Sequence, residues 1–168
     1  MKAVWNLFQI LGLFLLLWFV DQQSSLFLSY LIPSHWYPVF HASLIFLLFA
    51  SVFYSTFTLL GASLIAGFLL DSYVFHSIGI LFVLLPLCVL FVTSLNRLFL
   101  RNTWTILLAT VLLISLFESL YFGAASLFGM ASLNWTDFVA LSLAPSLAVN
   151  LLLSLLATPL FRFFLAKS

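Results

Sequence analysis

Apolar runs follow one another almost from end to end of this chain, each approaching the roughly 20 residues that a helix needs to cross a bilayer. Hydrocarbon offers no hydrogen bonds to an unpaired backbone, so runs of this length read as helices. With 65% hydrophobic and 5% charged residues and a mean hydropathy of +1.31, the chain lies far from the about 25% charged residues of a soluble domain. The reading is an all-α, polytopic membrane protein, a single helical bundle over residues 1–168. A net charge of +1 gives no electrostatic footprint for nucleic acid.

Six spans can be marked. The first covers about Ala3 to Val20 and is expected to stop at Asp21-Gln22-Gln23-Ser24-Ser25. A loop with Pro33, His35, Trp36, Tyr37 and Pro38 follows, its aromatics reading as anchors at the membrane interface. The second span runs from about Val39 to Tyr54 and turns near Ser55-Thr56; the third runs from about Phe57 to Leu70 and ends at Asp71. The fourth, about Ile78 to Leu95, contains Pro86, where a lost hydrogen bond favours a kink. After the polar link Asn96 to Asn102 come the fifth, about Trp104 to Phe128, and the sixth, about Phe138 to Phe164, with Asp137 at its start.

Threading six spans with Lys2 inside places Arg97, Arg101, Arg162 and Lys167 on the same cytoplasmic side, as the positive-inside rule requires. Asp21, Asp71 and Asp137 then fall on the outer side. Removing one span would divide the basic residues between the two faces.

Polar residues inside such a bundle are the places to look for function. In Gly61 to Gly79, Ala62 and Ala66, then Ser63 and Gly67, stand four residues apart, a spacing that lets helix backbones approach closely. Ser63, Gly67 and Asp71 continue one face, and the carboxylate at its end needs an interface or a partner. Glu118 lies within the fifth span with Ser115 and Tyr121 on its face. It reads either as a cation, proton or partner site, or as a carboxylate near the outer interface that is protonated or reaches water. The sixth span carries Ser142, Ser146, Asn150, Ser154 and Thr158. That ribbon reads first as an interhelical seam, with Asn150 the residue to bond across helices, and second as the lining of a hydrophilic pocket.

Chemistry-bearing patterns are missing. His35, His41 and His76 are scattered, and no metal-ligand spacing, phosphate loop or nucleophile elbow occurs. His35 and His76 read as outer-loop residues. Cys88 sits in an apolar run, and a lone cysteine allows no intrachain disulfide. The first segment is long for a signal peptide, and Phe19-Val20-Asp21 lacks the small residues of a cleavage site. An enzyme is not expected, nor a cofactor or metal.

The order of segments resembles the MreD family, small membrane proteins of the bacterial cell-elongation machinery. Gly67-Phe68-Leu69-Leu70-Asp71 followed by Gly79 is similar to that family's Gly-x-x-x-Asp, short variable stretch and Gly before a helix. Leu116-Phe117-Glu118-Ser119-Leu120-Tyr121-Phe122-Gly123 resembles the fifth helix of members from Gram-positive bacteria. Asn150, Pro159 and the closing Leu160-Phe161-Arg162-Phe163-Phe164 are similar to the last helix and its basic end. Two departures are Tyr73-Val74-Phe75-His76, where smaller residues are usual, and a tail that stops soon after Lys167.

The resemblance implies a scaffold in the bacterial cytoplasmic membrane, without chemistry, that regulates cell shape and helps place peptidoglycan synthesis. Its partner would be an MreC-like single-pass protein, in company with RodA, a penicillin-binding protein and, indirectly, MreB filaments. Gly67 and Gly79 would permit close backbone packing. Asp71 would be structural or partner-contacting, so Asp71→Ala is expected to weaken association more than Asp21→Ala. The second reading is the substrate-binding subunit of an energy-coupling-factor vitamin transporter, a six-helix architecture thought to be shared with MreD. In it Asp71, Glu118 and the sixth-span ribbon would line a pocket. Against it, Leu7 to Val20 lacks the alanines at four-residue spacing common in those subunits' first helix.

Overall fold

The computed structural model describes residues 2–32, 35–72, 79–95, 102–131 and 133–165. Among them six helices account for the regular structure. They are α1 (Lys2–Leu31), α2 (Ala42–Phe53), α3 (Thr56–Leu70), α4 (Ile80–Ser94) and α5 (Thr103–Leu127). The sixth, α6, opens with the turn Trp135–Asp137, passes through a π-helical stretch Phe138–Leu143, and continues as Ala144–Leu165. The stretch Tyr73 to His76, the basic residues Arg97, Arg101 and Lys167, and Pro33 lie outside the described residues.

Three helices are long and apolar enough to cross a membrane: Trp5–Leu31, Thr103–Leu127 and Trp135–Phe163. Helices α2, α3 and α4, at 12, 15 and 15 residues, reach about 18–23 Å each. Their ends nevertheless line up with those of the long helices. Arg162 Nη2 donates to Thr103 Oγ1 at 2.7 Å, joining the end of α6 to the start of α5. Phe161 stacks on Phe49 at 4.3 Å, bringing the end of α2 to the same level. Leu7 of α1 packs against Gly61 of α3. The starts of α1, α3 and α5 and the ends of α2 and α6 therefore share one end of the bundle.

Helix α2 is central, with Leu44, Leu47 and Leu48 buried against α1, α4, α5 and α6. Its break from α3 needs neither Gly nor Pro. Tyr54 turns extended, and Ser55 caps the next helix by accepting from Thr58 N–H at 3.3 Å. Pro86 lies inside α4, which is helical on both sides of it. Pro159 lies within α6 on its exposed face.

Two boundaries depart from the sequence reading: α2 begins at Ala42 rather than Val39, and the end of α1 moves much further. Helix α1 does not stop at Asp21 but runs ten residues further, to Leu31. Nothing in Gln22-Gln23-Ser24-Ser25 forbids a helix. Ser25 Oγ donates back to the Asp21 carbonyl at 2.7 Å, and helical spacing carries Asp21 and Ser25 onto one inward face. The helix ends only at Ile32, next to a proline that disfavours helical backbone before it.

Candidate functional site

Opposite the end marked by Arg162, two helices begin on carboxylates. Asp21 of α1 is 3% exposed. Its Oδ1 accepts from Ala42 N–H at 2.7 Å, and its Oδ2 accepts from Ser43 N–H at 2.9 Å and Ser43 Oγ at 2.7 Å. Asp71, at the end of α3 and equally buried, accepts from Leu81 N–H at 3.1 Å and Phe82 N–H at 2.8 Å. Both carboxylates meet the exposed N–H groups and positive dipole end of a helix start. These donors offset the cost of burying a carboxylate at either place.

The small-residue face of α3 serves the second of these joints. A Cβ on Gly67 would lie 2.7 Å from both Leu81 O and Phe82 Cα, so only glycine lets α3 meet the start of α4. Gly79 was expected to permit close packing as well, and its backbone conformation gives it a separate reason to be glycine. Among the described residues a Cβ there meets nothing within 4 Å, and its backbone is left-handed at φ 66°, a region that glycine enters without steric cost.

The polar ribbon of α6 meets an extended chain, residues 36–41, ahead of α2. The carbonyl of Leu141 in the π-helical stretch accepts from Tyr37 N–H at 2.7 Å, and Ser142 Oγ donates to Tyr37 O at 3.3 Å. Ser146 Oγ accepts from Val39 N–H at 2.9 Å. Asn150 donates to Val39 O at 2.7 Å and accepts from His41 N–H at 2.8 Å. Four helical residues rise about 6 Å and two extended residues about 6.6 Å. A four-residue polar repeat on a helix thus stays in step with alternate residues of a strand-like partner. Ser25 Oγ takes Phe40 N–H at 2.9 Å from the other side. Lower on α6, Ser154 pairs with Thr110 of α5 at 2.9 Å.

The pinned segment delivers His41 to Glu118, two residues that the sequence did not connect. His41 Nε2 lies 2.9 Å from Glu118 Oε1, with both side chains buried. Phe117 sets its edge against the imidazole, with ring centroids 5.4 Å apart. Glu118 is 6% exposed, which sets aside the picture of a carboxylate reaching bulk water.

Beside this pair is a cavity of about 410 Å³ between α1, α5, α6 and the extended segment. Its walls include Trp18, Asp21, His41, Glu118, Tyr121 and Phe138. Phe122 and Phe138 stack at 4.1 Å along one side. Two of the lining residues carry a buried polar atom, Trp18 Nε1 and Glu118 Oε2, with no hydrogen-bond partner among the described residues. Of the predicted positions, Glu118 and the ribbon residue Ser142 border the cavity; Asn150 supports the segment above it, while Gly67 and Asp71 form the α3–α4 joint, Gly79 precedes α4 and Pro159 lies apart. No group of three or more metal-ligating side chains occurs among the described residues.

Comparison with known proteins adds a family. The profile of the rod shape-determining protein MreD matches residues 2–168. The cell shape-determining protein MreD of Streptococcus pneumoniae (strain ATCC BAA-255 / R6) is 34% identical over 144 residues, covering 84% of this chain and 87% of that protein. No solved structure matches the chain.

Proposed function

Because the chain belongs to the MreD family of rod shape-determining proteins, with a role in cell shape, we propose that it acts there as a non-enzymatic membrane scaffold. It binds an MreC-like single-pass partner and thereby helps position peptidoglycan synthesis. The observation that carries this reading is how the buried carboxylates are used. Asp21 and Asp71 hold helix starts in place through backbone N–H groups, which is the work of a rigid docking body.

In the membrane, all six helices cross the bilayer of the bacterial cytoplasmic membrane, with both termini on the cytoplasmic side. The shared end of the bundle that carries Arg162 supports this orientation, since basic residues gather on the cytoplasmic face. The short α2 is completed by the extended residues 36–41, whose hydrogen bonds to α1 and α6 meet the requirement for non-helical backbone at membrane depth.

A mild-detergent pull-down of the tagged chain from native membranes, read by mass spectrometry, tests the proposal. Recovery of a single-pass protein together with wall-synthesis enzymes is expected. Recovery of paired ATPases with a coupling membrane subunit would overturn it in favour of the transporter reading, which the comparisons do not support.

A further inference from the structure

The cavity beside Glu118 has features that a docking scaffold does not require. Its volume of about 410 Å³ falls within the range of small-molecule sites, roughly 300–1,000 Å³. Its lining among the described residues contains two carboxylates and no Lys or Arg. Asp21 is fully engaged, with both oxygens accepting from the start of α2. Glu118 differs, because Oε1 faces His41 while Oε2, on a residue that lines the cavity, is buried without a partner among the described residues. An acceptor left so costs about 1–3 kcal/mol, and more when it is charged.

We propose that this cavity binds a primary ammonium group carried on an apolar stem, with the ammonium donating to Glu118 Oε2. Such a head matches the site in three respects. It supplies the N–H donors that a carboxylate accepts in short, charge-assisted bonds. It is a cation among the aromatic side chains of Trp18, Phe117, Tyr121 and Phe138, a residue type whose ring faces attract positive charge. An oxygen next to the ammonium would accept from Trp18 Nε1–H, the second unpartnered atom. The stem then lies along Phe122, Ala125 and Met130, and Met130 is exposed at the rim. The same chemistry is offered by a free amphiphilic amine and by the ethanolamine head of a phospholipid. The inference rests on the cavity alone and stands or falls separately from the scaffold role.

Native mass spectrometry of the full chain in an uncharged maltoside detergent tests it. One series is titrated with octylamine and a second with octanol, which has the same stem and no charge. The wild-type chain should take up a single saturable octylamine, with octanol at least about tenfold weaker, the scale of one charged hydrogen bond. Glu118→Gln should abolish that preference. Trp18→Phe, which keeps Glu118, should keep the preference for amine, since octylamine carries no oxygen for Trp18 Nε1–H. A lipid arm compares phosphatidylethanolamine with phosphatidylglycerol. Selective retention of the former supports the proposal with a lipid as source; octylamine uptake without it supports a free amine. Equal uptake of octylamine and octanol by the wild-type chain, or no saturable adduct, would overturn the proposal without reference to any variant. So would an undiminished amine preference in Glu118→Gln.

Discussion

The α3–α4 joint and the cavity end are built with the same device and left in different conditions. At each, a buried aspartate on one helix accepts the N–H groups that begin another. At the joint, Gly67 brings the two backbones into contact. At the cavity end, the partner of α1 is an extended chain held off α6 by hydroxyl and amide groups, and about 410 Å³ stays open beside it. Glu118 then has one oxygen on His41 and one with no described partner. The difference teaches that burial of a carboxylate does not identify a binding group. What separates Glu118 from Asp21 and Asp71 is an acceptor with no partner among the described residues.

The sharpest way to break this contrast is at Gly67. A Cβ there meets backbone atoms at 2.7 Å, and backbone cannot rotate away as a side chain can. Gly67→Val should cost about 3 kcal/mol or more and remove the monodisperse peak in size-exclusion chromatography. Gly79→Ala should cost only about 1 kcal/mol, for its left-handed φ, and keep that peak. Equal damage at both glycines would contradict the close-contact account of the joint.

Next come the two aspartates. Asp21→Ala and Asp71→Ala each strand buried N–H groups, so each should lose on the order of 3 kcal/mol in thermal unfolding. Asn substitutions, which keep one acceptor, should recover part of the loss at both positions. A smaller local effect is expected of Asn150→Ala, about 1–3 kcal/mol. Amide hydrogen exchange should speed up at Val39 and His41 while the α3–α4 joint stays protected. Uniform acceleration through both regions would mean that they open as one unit.

Much of this was legible in the sequence. Long apolar runs gave the helices, and the turn at Ser55 emerged without Gly or Pro because a serine cap suffices. The small residues around Gly67 announced a close approach, and Asn150 does bond outside its own helix. Three features were hidden. Asp21 read as a loop residue because a polar quintet resembles a helix stop, whereas α1 continues to Leu31. His41 carried a signal that went unused: a polar residue immediately before an apolar helix stands where a helix start needs attention. The pairing of His41 with Glu118 was beyond local spacing altogether, because it depends on a strand-like segment registered against a helix more than a hundred residues away.

The central claim is that Asp71 is held by the start of α4 while Glu118 has acceptor capacity left unused among the described residues. Thermal unfolding of Asp71→Asn and Glu118→Gln, side by side in one detergent, tests it most directly. Gln can retain the bond to His41 and loses nothing at Oε2, so its shift should stay within about 2 °C, whereas Asp71→Asn should fall by several degrees, at roughly 2–4 °C per kcal/mol. Equal losses from the two substitutions would contradict the account.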